Sequence, residues 1–349
     1  MRVLSLLLIA AGIAAMAALV LHFGASAVGA ALLAVGFAGF ASVTLLHVAL
    51  IALMGLAWAV LLPGTKSWVV VWGRFVRDAG SEVLPLSQVG GYVLGTRAIA
   101  LAGVPATQGA ASTIVDVTLE FVGQLAYVAL GLAWLLHLQT AAIAPGLVVL
   151  GLAVASFLAL AFIVAQRRGM RYADRIAGFL GQGWAEKTAA GAAALHRALE
   201  AIYQRPGRVW LSAVLHFITW VASASEISAA LWFAGQPIPF GSVMVIESLV
   251  YAIRSTAFIV PNSMGVQEGA YVLLGSAFGL TPEMALALSF VKRARDLAIG
   301  LPTIALWQAI EGGRLMRRAT AKAATPAVSE PSGTTPAEAG VHVHAARKS

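Results

Sequence analysis

Long apolar runs separated by short polar segments dominate the chain, and six of them are long enough to cross a membrane. A transmembrane helix needs about 20 mostly apolar residues, because the hydrocarbon core is about 30 Å thick. The predicted spans lie at 3–21, 41–62, 106–138, 145–165, 209–233 and 282–309. A shorter apolar stretch, 28–40, is typical of a helix near the interface. The pattern predicts an all-α polytopic membrane protein.

The first apolar run could also be a signal peptide. Arg2 precedes it, and Ala25-Ser-Ala27 follows it as a small-residue cleavage site would. The run is longer than a signal-peptide core and its charged region is a single arginine. We therefore expect a retained first transmembrane helix.

Two segments, 67–103 and 241–279, interrupt the apolar pattern with charges and turn-forming residues. Each apolar arm is too short and too polar to span well, so we interpret both segments as re-entrant helix pairs. Polar backbone at membrane depth is tolerated where protein or a cavity surrounds it. The predicted hinge and turn residues are Pro85, Gly90, Gly91, Pro261 and Gly265.

The two segments align at an offset of 176 residues, which places Pro85 on Pro261, Gly103 on Gly279 and Glu120 on Asp296. The loops at 22–40, 139–144, 234–241 and 280–283 contain no Lys or Arg. By the positive-inside rule the N- and C-termini are then cytoplasmic. Three predicted crossings separate the helix pairs, so the repeat is inverted, as in many transporters.

Composition and charge refine this picture. The chain has 60% hydrophobic residues, 11% charged residues, a formal net charge of +8 and no cysteine. The absence of cysteine excludes a disulfide framework. The net positive charge could suggest nucleic-acid binding, but the basic residues lie in particular loops, which indicates orientation in a membrane instead. We expect a membrane domain at 1–318, with repeats at about 41–138 and about 209–310. The basic loop 166–208 carries an amphipathic segment expected on the membrane surface, and 319–349 is expected to be disordered.

Ionisable residues inside the apolar helices are the candidate site, because charges at membrane depth are costly and usually mark a pathway. Asp116 and Glu120 share one helix face, as do Lys292 and Asp296, and both pairs fall near the midplane. We expect Lys292 to pair directly with Asp116. The hypothesis is a paired cluster lining a hydrophilic cleft, and the alternative is a purely structural cluster. Its members are Asp116, Glu120, Arg254, Lys292, Arg293 and Asp296.

Three further features leave alternatives open. The turn containing Asn262 opens a helix whose free N–H groups could hold an anion, or Glu268 could cap that end itself. Glu226 stands alone in the fifth span, where a protonated carboxylate, a paired carboxylate and a proton-relay residue are all open interpretations. His47 and His216 are expected to pack within helices.

Catalytic signatures are missing from the sequence: it has no zinc-type His/Glu pair, no Walker sequence and no nucleophile elbow. We expect no enzymatic activity, no metal and no cofactor. The two histidines in the tail, His342 and His344, lack further ligands.

Three stretches together resemble the HpnL proteins, bacterial membrane proteins associated with hopanoid synthesis. The stretches are GRFVRDAGSEVLPLSQVGGYVLGTRAIALAGVP, STIVDVTLEFVGQ and ESLVYAIRSTAFIVPNSMGVQEGAYVLLGSAFGL with LSFVKRARDLAIGLP after it. These proteins belong to the broader group that shares the transmembrane region of lysylphosphatidylglycerol synthases, which is considered a lipid flippase. Tyr92 stands where the family pattern has an acidic residue, so a symmetric carboxylate pair with Glu268 is not expected.

The resemblance implies a lipid-translocation role for the residues at the matching motifs. They are Arg97, Asp116, Glu120, Arg254, Glu268, Lys292, Arg295 and Asp296. It implies a bacterial inner-membrane location and, as partners, a hopanoid or an anionic phospholipid and the proteins of hopanoid synthesis. No aminoacyl-transferase domain follows, so lipid lysylation is not expected. The resulting hypothesis is a flippase-like lipid translocase; the alternatives are a membrane-embedded enzyme acting on an isoprenoid lipid and an accessory scaffold.

Overall fold

The computed structural model describes residues 2–83, 87–138, 182–256 and 261–324, together with Ala153 and Phe157. Across these residues it contains ten α-helices and one short 3-10 helix, and no strand. The α-helices are α1 (Arg2–Phe23), α2 (Ala25–Val60), α3 (Ser67–Val83), α4 (Ser87–Leu101), α5 (Ala106–His137), α6 (Gln182–Tyr203), α7 (Pro206–Phe233), α8 (Phe240–Thr256), α9 (Val266–Ala277) and α10 (Pro282–Ala324). The 3-10 helix, Pro261–Ser263, lies between α8 and α9.

The prediction of an all-α polytopic membrane protein is confirmed. Within the described residues, α2, α5 and α7 are long and apolar enough to cross a membrane by length and composition. The predicted span at 145–165 lies outside the described residues, except for Ala153 and Phe157. The count of six spans therefore stays a prediction.

The chain divides into two compact units, Met1–Trp307 and Gln308–Ser349. In the second unit, residues 308–324 are helical. The expected disordered tail is thus wrong for 319–324, and its remainder, 325–349, lies outside the described residues. Every contact discussed below belongs to the first unit.

The short helix predicted at 28–40 has other bounds in the structure. The element labelled α2 consists of two helical segments that are separated by a break at Gly36. The φ of Gly36 is 65°, a backbone conformation that glycine adopts at no steric cost because it has no Cβ. A short helix therefore precedes the predicted span, and its location near the membrane interface stays a prediction.

The order of elements is the same in the two predicted repeats, and the repeat itself stays a prediction. A long helix, a short helix pair and a second long helix occur as α2–α5 and again as α7–α10. The first residues of α5 and α10, Ala106 and Pro282, stand at the predicted offset. Each of these helices follows a glycine of positive φ, Gly103 at 103° and Gly279 at 83°. The inverted orientation stays a prediction, because the crossing between the halves lies outside the described residues.

Glycines bring α3 and α4 into close antiparallel contact. A Cβ added to Gly73 would meet Ile99, and one added to Gly91 would lie 2.5 Å from the carbonyl oxygen of Arg77. Gly91 and its neighbour Gly90 therefore lie inside α4, and the prediction that they form the turn is wrong. Their small size serves helix packing. The predicted turn residue Pro85 lies outside the described residues.

The second helix pair breaks where the sequence predicted. Between α8 and α9 the chain takes left-handed conformations, with φ of 48° at Asn262, 47° at Ser263 and 80° at Gly265. Pro261 begins the 3-10 turn. We call α3–α4 the first hairpin and α8–α9 the second hairpin; their re-entrant placement in a membrane stays a prediction.

The amphipathic helix of the basic loop is present as α6, but its apolar face contacts protein. Leu199 is buried in a core cluster with Trp58 and Val115, and Leu195 and Ile202 pack against the same cluster. The prediction that this face lies on the membrane surface is therefore wrong, because the side chains that would enter the lipid are covered by the helix bundle.

Candidate functional site

The buried charges of the first unit form three groups. The first-repeat cluster consists of Arg74, Arg77, Asp78, Asp116 and Glu120 of the first predicted repeat, and it is completed by His216, which lies on α7 of the second. The second-repeat cluster consists of Glu247, Glu268, Lys292 and Arg293. The bridging cluster consists of His47, Glu226, Arg295 and Asp296. Each cluster joins elements that are distant in sequence, so each also fixes the packing of the helices.

In the first-repeat cluster, two arginines of α3 neutralise two acids of α5. Both terminal nitrogens of Arg74 donate to Glu120, each at 2.8 Å to a different carboxylate oxygen. The Nε of Arg74 lies 2.9 Å from a carboxylate oxygen of Asp78. Arg77 donates to Asp116 at 2.6 Å and also contacts Glu120. Such forked arginine–carboxylate pairs are among the strongest hydrogen bonds in proteins. The acids that the sequence placed at midplane are therefore already paired within their own repeat.

His216 completes this cluster, although sequence reasoning expected it only to pack. Its Nε2 lies 2.9 Å from the second oxygen of Asp116, and neither side chain is exposed. The guanidinium carbon of Arg77 lies 4.5 Å from the ring centroid of Tyr92, a cation–π contact. Tyr92 thus contacts a cation from the position where the family pattern has an acid.

The second-repeat cluster contains the partner of Lys292. Lys292 donates to Glu247 at 2.6 Å, and the hydroxyl of Tyr271 donates to the other oxygen of Glu247. The lysine nitrogen also lies 4.8 Å from the ring centroid of Tyr251. The expected direct pairing of Lys292 with Asp116 is therefore wrong, because both residues are fully engaged elsewhere.

Glu268 caps its own helix, the second of the two interpretations left open by the sequence. Its carboxylate accepts the backbone N–H of Gly265 at 2.8 Å, as in a capping box. Arg293 donates to the same carboxylate at 2.6 Å, and Ser289 donates at 3.0 Å. A carboxylate already occupies the place where a bound anion was the other possibility. Arg293 also reaches the carbonyl oxygen of Asn262 at 3.3 Å.

The bridging cluster gives Glu226 two partners. His47 of α2 lies 2.9 Å from one oxygen of Glu226, and Arg295 of α10 forms an ion pair with the other. Arg295 Nε donates to Asp296 at 3.1 Å, and the second ring nitrogen of His47 lies 3.7 Å from Asp296. The cluster therefore joins α2 of the first repeat to α7 and α10 of the second.

The two hairpins touch at the ends of α3 and α8. Arg254 lies 3.7 Å from the carboxylate of Glu82, and the side-chain amide of Asn262 donates to the backbone carbonyl of Glu82 at 3.3 Å. Arg254 also donates to Asn262 at 3.4 Å. Both predicted residues, Arg254 and Asn262, are thus brought to one point, but their partner Glu82 was not among the predicted site residues.

A small cleft opens beside this contact, between α2, α3 and α10. It is lined by His47, Ile51, Phe75, Asp78, Ala79, Glu82, Asp296, Ile299 and Gly300. Its ionisable side chains are partly exposed: 31% for Glu82, 23% for both Asp78 and His47, and 13% for Asp296. We call it the acidic cleft. Its volume is about 20 Å³, room for roughly one water molecule.

One predicted site residue lies outside the three clusters, and several cluster residues were not predicted. Arg97 is exposed on α4 and belongs to none of the three clusters. Arg74, Arg77 and Glu247 were not among the predicted site residues, although they supply the counter-charges. Charge matching inside each repeat would have found them, since α3 offers arginines at helical spacing to the acids of α5. Over the described parts of the chain, no group of three or more His, Asp or Glu side chains could hold a metal ion.

Comparison with known proteins agrees with this architecture. Residues 2–302 match the family described as the lysylphosphatidylglycerol synthase TM region, a match that spans both hairpins and all three clusters. No curated protein and no solved structure matches the chain. The narrower resemblance to the HpnL proteins stays a prediction. The chain is therefore a multi-pass membrane protein that belongs to the lysylphosphatidylglycerol synthase transmembrane-region family.

Proposed function

We propose that this protein is a lipid translocase, which moves the polar headgroup of a membrane lipid between leaflets along the acidic cleft. One observation carries the proposal: a partly exposed cleft with four ionisable side chains lies among apolar helices and beside fully buried ion pairs. Ionisable side chains in such a setting usually line a pathway.

A polar headgroup needs hydrogen-bond partners while it crosses the apolar part of the membrane. A headgroup that leaves water without new hydrogen-bond partners loses several kcal/mol, roughly 4–8 for one amide or hydroxyl in a medium that offers none. Asp78, Asp296 and His47 offer hydrogen-bond acceptors and a donor to such a headgroup in the cleft. A headgroup in contact with them avoids most of that cost while the acyl chains stay in lipid.

The buried clusters and the cleft have different roles in this proposal. Pairs such as Arg77 with Asp116 and Lys292 with Glu247 are short and buried, so they hold the helices in position. His47 lies 3.7 Å from Asp296, and both are partly exposed. The looser pair can exchange its partner for a headgroup without unfolding the bundle.

The finer parts of the proposal rest on the resemblance described above. The lipid is a hopanoid or another polar lipid such as an anionic phospholipid, and the location is the bacterial inner membrane with both termini in the cytoplasm. The protein acts without chemical conversion of the lipid, beside the proteins of hopanoid synthesis.

The test uses purified protein in liposomes that contain fluorescent or extractable lipids, hopanoids included. Leaflet exchange and lipid mass are measured for the natural protein, for Asp296→Asn and for the double variant with His47→Gln. Glu200→Gln is the matched control, since this carboxylate is 52% exposed on α6, outside the cleft. We expect exchange to fall by about tenfold in the cleft variants, equivalent to about 1.4 kcal/mol, and to be unchanged in the control.

Each other outcome overturns the proposal. A changed lipid mass with the natural protein would favour the membrane-embedded enzyme. Neither exchange nor a new product from protein that elutes as a single species would favour the scaffold. Equal exchange in the cleft variants and the control would remove the cleft from the pathway.

A further inference from the structure

The bridging cluster holds more acids than permanent cations. Glu226 and Asp296 both lie within ion-pair distance of Arg295, the permanent cation of the cluster. With a neutral imidazole at His47, two carboxylates and one guanidinium give the cluster a net charge of −1. An uncompensated charge among apolar helices is costly. One additional proton would make the cluster neutral.

The cations of neighbouring helices do not balance this charge, because each has a carboxylate of its own. The charged groups that face His47 are Arg74, which pairs with Asp78, Arg254, which pairs with Glu82, Lys292, which pairs with Glu247, and the cluster members Glu226, Arg295 and Asp296. The excess negative charge therefore stays within the bridging cluster.

The imidazole of His47 lies between the two acids, with one ring nitrogen facing each. Nδ1 lies 2.9 Å from Glu226, a hydrogen bond, whereas Nε2 lies 3.7 Å from Asp296, beyond hydrogen-bond distance. A neutral imidazole carries its N–H on one nitrogen, so these distances assign the N–H to Nδ1. An imidazolium donates from both nitrogens. A proton taken up at Nε2 would therefore join His47 to Asp296 by a second hydrogen bond.

We propose that His47 and Asp296 form a proton-binding site in the acidic cleft, and that this proton competes with the lipid headgroup for Asp296. The competition rests on the proposed translocation, whereas proton binding does not.

The proposed site is accessible to water. His47 and Asp296 line the acidic cleft, and their side chains are 23% and 13% exposed. Glu226, on the other side of the imidazole, is 1% exposed. The cleft has room for roughly one water molecule, which is enough to deliver a proton. The proton passes from a hydronium ion to Nε2 and leaves by returning to water, and no other bond forms or breaks.

Proton and headgroup would bind at the expense of each other. An imidazolium at His47 holds Asp296 by a charge-assisted hydrogen bond, which is stronger than a neutral one. A headgroup that is to contact Asp296 must first displace that bond. Linkage makes the effect reciprocal, so each partner lowers the affinity of the site for the other by the same factor. Headgroup binding would thus release the proton to water.

The pH dependence of leaflet exchange tests the competition. The probe is a fluorescent phosphatidylglycerol, whose phosphodiester stays ionised, at about pH 8 and about pH 5, the range in which histidine changes its charge. We expect the natural protein to exchange it at least about fivefold more slowly at the lower pH, the lower end of typical coupling between sites. His47→Gln and Asp296→Asn should each abolish this difference between the two pH values, whatever their rate at either pH.

His196→Gln is the matched control for the same substitution. This histidine is 47% exposed on α6 and pairs with Glu200, outside the cleft. Its ratio of rates at the two pH values should equal that of the natural protein.

A second measurement detects the proton without any lipid exchange. The histidines are labelled with the heavy nitrogen isotope, and the protein is titrated in detergent over the same pH range while its imidazole signals are followed by nuclear magnetic resonance. The signals that disappear in His47→Gln belong to His47. We expect an N–H on Nδ1 and a lone pair on Nε2 at the upper pH, and a proton on both nitrogens at the lower pH.

The results separate the proton site from the proposed function. If the natural protein exchanges lipids with the same pH dependence as His47→Gln, the competition is wrong and the proposed function stands. If no exchange occurs at any pH, the proposed function fails, and the titration alone decides whether His47 binds a proton. A His47 imidazole that stays neutral throughout, in protein that elutes as a single species, overturns the proton site.

Discussion

Two sets of buried charges pair a short helix with the long helix that follows it, and the sign of the charge on the short helix differs between the two sets. The short helix α3 supplies the cations, Arg74 and Arg77, to acids on the long helix α5. The short helix α8 supplies the acid, Glu247, to Lys292 on the long helix α10. Each hairpin is thereby held to the long helix that follows it.

This arrangement predicts the result of a charge swap. Lys292→Glu places two buried carboxylates together and should destabilise the fold by at least the roughly 3–5 kcal/mol of a broken buried pair. Adding Glu247→Lys restores an ion pair at the same place and should recover most of that loss. The readout is the folded fraction on size-exclusion chromatography after graded heating in detergent. Rescue by Asp116→Lys in place of Glu247→Lys would contradict the pairing.

Sequence reasoning located these charges better than it located their partners. Asp116 and Lys292 follow their helix starts by equal distances, so their buried position near one another in depth could be inferred from spacing. Spacing along one helix carries no information about which neighbouring helix packs against it. Glu247 and Asp116 are both acids at suitable depth, and only the three-dimensional packing selects Glu247. For the same reason, spacing left pairing of Glu226 open but could not name His47 and Arg295 as its partners.

Among the elements, the hairpin α3–α4 depends on glycines that let two backbones approach closely. A Cβ at Gly91 would lie 2.5 Å from a backbone oxygen and would also overlap the hydroxyl of Ser81. Small residues at such contacts are common where helices pack in membranes. The hairpin carries Glu82 and both arginines, so its packing also fixes the positions of these charges.

Glycine substitutions should separate this packing from helix propensity. Gly91→Ala should destabilise the protein by about 1–3 kcal/mol, because the added methyl group forces the two helices apart. The control is Gly269→Ala in α9, where an added Cβ meets nothing within 4 Å. That variant should be neutral or stabilised by up to about 1 kcal/mol, since alanine favours helix. Thermal unfolding in detergent compares the two, and equal stability would contradict the packing.

Element boundaries followed from sequence where a proline begins a helix or a glycine follows its end, as at Pro282 and Gly279. They did not follow where glycine lies inside one. Gly36 and Gly91 have the same side chain as turn glycines, yet one breaks a continuing helix and the other packs against a neighbour. The surrounding backbone decides between these roles, and the pattern of hydrophobic residues along the sequence carries no information about that backbone.

For the whole molecule, the repeated elements bring the two hairpins together beside one acidic cleft. The contact joins Glu82 of the first repeat to Arg254 and Asn262 of the second. The bridging cluster joins the same two halves through His47 and Glu226. A repeated fold with its polar residues at the contact between halves is the arrangement in which transporters hold their substrates.

The most direct test of the central claim is where a lipid headgroup contacts the protein. The protein is reconstituted with a phospholipid that carries a photoreactive headgroup, irradiated, digested and mapped by mass spectrometry. A lipid with the photoreactive group in its acyl chain is the control. We predict headgroup adducts at cleft residues such as Phe75, Ala79 and Ile299, and acyl-chain adducts at outward-facing residues such as Phe37 and Leu45. Headgroup adducts confined to the loops, with none in the cleft, would contradict the account.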